Sequence, residues 1–398
     1  MKRILPIIVI AQFFCTSLWF AGNAVISDIA RQLQLQPGYL AHLTSAVQLG
    51  FISGTLLFAI LSIADRFSPI KVFFCCAMIA AVINLGAAFD SISAHSLLLC
   101  RFLTGFLLAG IYPMGMKIAS DHYQQGLGRS LGFLVGALVL GTAFPHFLKS
   151  LTATLPWRNV IYATSALSTV GGLAMLLLVP DGAGRPTTQK PHFSNFLSGF
   201  RDSRFRAAAF GYFGHMWELY AFWAFVPTIL SAYATRHQAG LNIPLLSFAI
   251  IGSGSVACVL SGLLSQSFGP KKVAAVALCA SGICCLVSPV FLFYNAIIPF
   301  IIFMFIWGMA VIADSPLFST LVAQSAPAAS KGSSLTIVNS IGFAITIISI
   351  QLINGLRTPA NACYIYLLLA IGPILGLIAL RGKRSALPGL AQPTDAEL

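Results

Sequence analysis

The sequence predicts an all-α membrane protein with twelve transmembrane helices in two pseudo-symmetric bundles of six. Three observations carry this fold class. The chain is nearly emptied of charge, it contains twelve long apolar runs, and one short basic turn occurs twice, half a chain apart.

Hydrophobic residues make up 58% of the chain and charged residues 8%, with a mean hydropathy of +0.88. A soluble domain carries about a quarter charged residues, so a soluble protein with a large core is excluded. The net charge of +13 does not point to nucleic acid, because the basic residues are spread over short loops and form no stripe. The cysteines include Cys75-Cys76 and Cys284-Cys285 inside apolar runs, and none has metal-type spacing in a polar loop. These, with Cys15 and Cys100, read as small core residues, and neither a metal nor a cofactor is expected. Lys2 and Arg3 precede a run that continues past Phe20, too long for a cleaved signal, which reads as a retained first span.

Runs long enough to cross a bilayer fall at about Leu5–Ile26, His42–Ile63, Val72–Phe89, Ser96–Ala119, Ser130–Phe147 and Asn159–Val179. They resume at Ala207–Ala232, Leu245–Ser267, Val273–Tyr294, Ile298–Gln324, Ser333–Ile353 and Ala362–Leu380. The expected domains are a first bundle over 1–179, a linker over 180–206, a second bundle over 207–384 and a disordered tail over 385–398. The linker is expected to start flexible and end in a short basic amphipathic helix. With the N-terminus inside, the outer loops hold only Arg31, Lys149, Arg158, Arg236 and Arg357; the inner loops and ends hold every other basic residue except Arg101. Both termini are therefore expected in the cytoplasm, with the chain multi-pass in the inner (cytoplasmic) membrane.

The repeated turn is Leu61-Ser-Ile-Ala-Asp65-Arg66-Phe67-Ser68-Pro69-Ile-Lys71, which returns as Gly262-Leu-Leu-Ser-Gln266-Ser267-Phe268-Gly269-Pro270-Lys-Lys272. Such duplication marks a transporter built from two related halves. The first copy resembles the loop signature of the major facilitator superfamily, Gly-x-x-x-Asp-Arg-x-Gly-Arg-Arg/Lys. Asp65, Arg66 and Lys71 match, whereas Leu61 and Ser68 stand where that pattern has glycine. The second copy keeps Gly262 and Gly269 and replaces the acid–base pair with Gln266 and Ser267. The resemblance covers essentially the whole chain and implies the major facilitator fold, with spans one, four, seven and ten around a central cavity.

Charge inside a span is costly and usually functional. Arg101, in Arg101-x-x-x-Gly105, resembles the family's span-four signature, which implies a role in proton coupling or in binding a substrate anion. An arginine facing the bundle needs an acidic partner or an anion; the alternative is that it snorkels to the interface. In span seven, His215 and Glu218 share a helix face, and Glu218 lies at mid-span, suited to taking and releasing a proton or to pinning helices together. Asp314 of span ten lies just before Pro316, which corresponds to Pro113 of span four, and prolines at matching depths imply helix breaks near a central site. If the family arrangement holds, Trp19, Asn23, Tyr112, Trp223 and Trp307 complete the cavity wall, with aromatic rings suited to a planar organic solute. Gln48, Asn84, Asn339 and Gln351 are read as helix-to-helix hydrogen-bonding residues.

The resemblance also implies a gate, in which Asp65 docks on the N-terminus of span eleven at Lys331-Gly-Ser-Ser, where free amides favour a carboxylate. Arg66, Lys71, Asp121 and Arg129 belong to the same cluster. Span five has Gly132, Gly136 and Gly141 but lacks the Gly-Pro pair of the family's antiporter signature. The expected function is secondary active transport of a small organic solute or anion, proton-coupled, by alternating access of a monomer in the lipid bilayer. Efflux of drugs or toxic metabolites is the alternative, followed by a non-transporting sensor. No phosphate-cradling loop or nucleophile–base pair suggests an enzyme.

Overall fold

The computed structural model describes residues 4–35, 38–123, 127–151, 155–181, 199–326 and 331–381. The regular structure among them is entirely helical. Residues 182–198 of the linker and the tail lie outside the described residues; of the stretch expected as a short amphipathic helix, residues 199–206 are described, and Ser203 onward belongs to span seven. Twelve membrane-crossing units follow in chain order. Spans two, three, five and six are Tyr39–Ile60, Pro69–Gly86, Leu127–Leu151 and Arg158–Leu178; spans seven, eight, nine and eleven are Ser203–His237, Ile243–Phe268, Pro270–Phe293 and Lys331–Leu356.

The other four are segmented. Span one comprises Ile4–Thr16, Ala21–Ala24 and Ile26–Leu33; span four comprises Ala94–Leu108 and Tyr112–His122; span ten comprises Ile297–Ala313 and Ser315–Ser325. Span twelve starts as a 3-10 helix, Ile365–Ala370, and continues as Ile371–Leu380.

The breaks in spans one, four and ten have local causes. In spans four and ten, Pro113 and Pro316 lack the N–H that would bond the carbonyl four residues earlier. In span ten that carbonyl is Ile312 O, which accepts instead from Cys258 Sγ at 3.6 Å. The break in span one was not expected and involves no proline. Thr16 Oγ1 bonds back to Gln12 O at 2.8 Å and Ser17 Oγ to Phe14 O at 2.6 Å, a local competition that bends helices. Span seven also departs from its expected bounds, starting at Ser203 instead of Ala207. Asp202 caps it there, its Oδ1 accepting from Arg204 N at 2.7 Å and Phe205 N at 3.0 Å.

Nine helices among the described residues are long and apolar enough to cross a membrane by length and composition. Spans one and twelve fall short because they are interrupted. Span seven is long enough, but its Gly211–Trp223 stretch carries His and Glu and is buried against protein, so lipid does not set its composition.

Glycines let the helices meet within each half. A Cβ on Gly105 would lie 2.0 Å from Val47 O, and one on Gly50 1.9 Å from Phe102 O, so spans two and four touch backbone to backbone. The second half repeats the crossing between spans eight and ten, where a Cβ on Gly308 would meet Ile250 O at 2.5 Å. Gly105→Val is therefore expected to cost about 3 kcal/mol, as overpacking does, read as an earlier thermal unfolding transition in detergent. An unchanged midpoint would refute the close crossing.

The halves meet along two seams, span five against eight and span two against eleven. In the first, Gly136 approaches Ser255 O, with 3.2 Å from a Cβ built there, and Phe147 meets Phe248 at 4.9 Å. In the second, Gln351 Nε2 donates to Ser45 Oγ at 2.8 Å and to Ala41 O at 3.2 Å. By the alternation of the spans, this polar tie lies on the face opposite the N-terminus.

Candidate functional site

Arg101, His215, Glu218 and Asp314 are each about 1% exposed. None reaches lipid or solvent, which disposes of snorkelling for Arg101. They form three groups, not one wall.

Arg101 turns into the first half. Its Nη2 donates to Leu18 O at 2.8 Å and Trp19 O at 2.6 Å, and its Nη1 to Asn84 Oδ1 at 3.2 Å. The two carbonyls belong to the break in span one, just past the C-terminus of Ile4–Thr16, where the helix dipole favours a cation. No carboxylate pairs with Arg101 among the described residues; freed backbone carbonyls and Asn84 take its Nη atoms, and its Nε has no described partner. Asn84 in turn donates to Ser165 Oγ at 2.9 Å and Thr164 Oγ1 at 3.1 Å. One network thus joins spans one, three, four and six. Asn23 also stays within this half, donating to Thr44 Oγ1 at 2.8 Å.

Glu218 turns into the second half. Its Oε1 accepts from Trp307 Nε1 at 2.7 Å and Cys285 Sγ at 3.1 Å, and its Oε2 from Ser281 Oγ at 2.8 Å. Ser281 and Cys285 are one turn apart on span nine and face span seven together. Cys285 is therefore a hydrogen-bond donor to a buried carboxyl group, where the sequence suggested only a packing residue. Trp307 serves the same carboxyl with its N–H while its ring packs on Phe222 at 4.6 Å.

His215 and Asp314 form the third group. Nδ1 of His215 is 2.8 Å from Oδ1 of Asp314, an ion-pair distance. Asp314 is the joint between the two helices of span ten, its carbonyl accepting from Leu317 N and Phe318 N. Neither ring nitrogen of His215 and neither carboxylate oxygen of Asp314 has a partner in hydrogen-bond geometry among the described residues. The pair places two titratable groups in contact at a helix break, and a proton gained or lost there changes the local charge by one in a low-dielectric setting.

Where the halves face each other at mid-span, the contact is aromatic. Trp19 stacks with Tyr220 at 5.8 Å and with Phe343 at 5.9 Å, and Phe51 meets Phe343 at 4.5 Å. Trp223 stands edge-on to Phe20 at 6.4 Å and lies 5.2 Å from Tyr220. The indole N–H groups of Trp19 and Trp223 are buried without described partners, as are both side-chain polar atoms of Gln12 and Gln48. Tyr112 opens the second segment of span four and is half-buried.

Sequence reasoning missed Tyr220, Phe343, Phe51, Ser281 and Cys285, and also His146, buried in span five with Nε2 unpartnered among the described residues. The only available signal for His146 was a histidine following Pro145 in an apolar run.

The expected gate is only partly described. Asp65 lies in the short helix Ile63–Arg66, but its side chain, that of Arg129, and those at the start of span eleven are outside the described residues. Arg66 and Lys71 are exposed. Asp121 stands 4.0 Å from Lys117, one turn earlier on the same helix.

The chain matches the family model described as Major Facilitator Superfamily over residues 8–350. No curated protein sequence matches it significantly. Among solved structures, a mutant of the nucleoside transporter NupG aligns with a TM-score of 0.73 at 14% identity, covering 95% of this chain and 98% of that one. The human organic anion transporter MFSD10 (TETRAN) aligns with a TM-score of 0.72 at 14% identity, covering 96% of this chain and 99% of that one. At such identity the likeness speaks for the fold.

Proposed function

The chain belongs to the Major Facilitator Superfamily and is a multi-pass membrane transporter, and from that premise we propose proton-coupled transport of a small planar organic solute or anion by alternating access. The observation that carries this reading is the buried His215–Asp314 contact at the joint of span ten. Protonation there alters the charge beside the hinge of a helix that faces the other half, so loaded and empty carriers prefer different arrangements. The aromatic rings of Trp19, Tyr220, Trp223 and Phe343 supply stacking surfaces for the solute. Glu218, held by three donors inside the second half, supports the helix packing around that pair.

Purified protein in liposomes, offered a panel of nucleobases, aromatic acids and other organic anions, is expected to accumulate one class of solute only while a pH gradient is present. Accumulation that survives collapse of the gradient by a protonophore would remove proton coupling. Trp19→Ala is expected to raise KM about tenfold with little change in kcat, since stacking binds ground and transition states alike. An unchanged KM would move the solute away from the aromatic interface.

The aromatic contact also fits a second reading, export of amphiphilic toxic compounds. Deletion of the protein would then sensitise cells to such compounds. Our reading further places a monomer in the cytoplasmic membrane with both termini inside, from the distribution of basic residues. A C-terminal reporter active only outside the cell would refute that orientation, and a detergent-solubilised dimer by light scattering would refute the monomer.

A further inference from the structure

The loop between spans eight and nine and the end of span twelve enclose a cleft of about 650 Å³. It opens on the same face as the N-terminus, by the alternation of the spans. Phe268, Leu377 and Leu380 form its apolar wall, and Lys271, Lys272 and Arg381 its basic rim. All three cations are exposed, and none makes an ion pair among the described residues. Lys272 Nζ lies 5.7 Å from the centre of the Phe268 ring.

The matching place in the first half shows what such a spot takes. There Ser68 caps span three, its Oγ accepting from Lys71 N at 3.4 Å and donating to the carboxylate of Asp181, just past the end of span six. A negative group thus serves the start of that helix, as the dipole favours. In the second half, Gly269 stands in the place of Ser68 and offers no side-chain cap to span nine. A Cβ built on Gly269 meets nothing within 4 Å. Arg381, the first residue past span twelve, lines the cleft. The first half serves its helix start with an internal carboxylate, whereas the charged residues lining the cleft at the start of span nine are the cations Lys271, Lys272 and Arg381.

We propose that this cleft binds the phosphate of an anionic phospholipid, with Lys271, Lys272, Arg381 and the first amides of span nine on the headgroup. An acyl chain then follows the apolar wall onto the outward side of span twelve, where Leu375 and Ile378 are exposed. Free phosphate shares the headgroup chemistry, but it makes no use of that wall. A lipid uses both.

The test uses the full chain in neutral detergent, with phosphatidylglycerol, phosphatidylcholine or inorganic phosphate added, read by native mass spectrometry and thermal unfolding. Phosphatidylglycerol is expected to be retained and to raise the unfolding midpoint, whereas phosphatidylcholine and phosphate leave it in place. Lys271→Gln with Lys272→Gln is expected to weaken phosphatidylglycerol binding about thirtyfold. Arg201→Gln with Arg204→Gln removes the same charge from the same face and is expected to change binding by no more than about twofold. Arg381→Asp puts a carboxylate on the basic rim and is expected to abolish retention. Equal losses in the two double variants would reduce the effect to general surface charge and overturn the site. Equal stabilisation by inorganic phosphate would overturn the lipid assignment, and equal stabilisation by phosphatidylcholine would overturn the need for an anion. If Arg381→Asp fails to fold, the lysine pair against its control decides.

Discussion

Asp314→Asn is expected to lower proton-driven accumulation about a hundredfold, the upper end of ordinary coupling energies, while solute exchange at equal pH continues near the wild-type rate. Asparagine keeps the size and the hydrogen-bonding capacity of the side chain but cannot carry the proton. The variant therefore leaves the joint of span ten intact and removes only the change in charge beside His215, 2.8 Å away. Exchange does not require the empty carrier to reorient, so it isolates coupling from binding. His215→Gln should act in the same direction, because it removes the other member of the contact. The two effects should not add in the double variant. Full accumulation by Asp314→Asn would remove the pair from the coupling mechanism and leave Glu218 as the remaining buried carboxyl group among the described residues of the second half.

Arg101→Leu is expected to cost about 3–5 kcal/mol of stability, the usual consequence of breaking a buried charged network. Its removal strands Leu18 O, Trp19 O and Asn84 Oδ1 together. Arg101→Lys makes the expectation specific. An ammonium retains the charge but cannot span two carbonyls and an amide oxygen with a planar fork. If Arg101 ties the break in span one, lysine should unfold almost as early as leucine in a detergent melt. If Arg101 instead receives a substrate anion, lysine should restore stability fully and change only KM. The second pattern would overturn the structural role.

How much of this was legible in the sequence differs from residue to residue. The breaks in spans four and ten were legible because proline acts on its own backbone: Pro113 and Pro316 remove a hydrogen bond wherever the helix sits. The break in span one was not, because Thr16 and Ser17 bend helices only when their hydroxyls turn back to the carbonyls, and the sequence does not say which rotamer they take. Glu218 was visible as a costly mid-span charge. Its three donors were not, since Ser281, Cys285 and Trp307 lie 63, 67 and 89 residues away. Arg101 was legible as a charge within a span that would need a partner if it faced the bundle, but carbonyls are present at every residue and leave no mark in composition.

By itself the sequence determined that this chain enters a bilayer, in two related halves, with a handful of ionisable side chains inside. Hydropathy and proline act through each residue's own transfer energy and backbone, so they need no knowledge of neighbours. Only the tertiary structure decided where those side chains point: Arg101 into a broken helix, Glu218 towards span nine, His215 onto Asp314, and the aromatics of spans one, two, seven and eleven onto one another. The direction depends on how far each helix is rotated about its axis. Glycine crossings such as Gly50–Phe102 and Gly308–Ile250 set that rotation by letting backbones touch, and such contacts form only once distant segments have met.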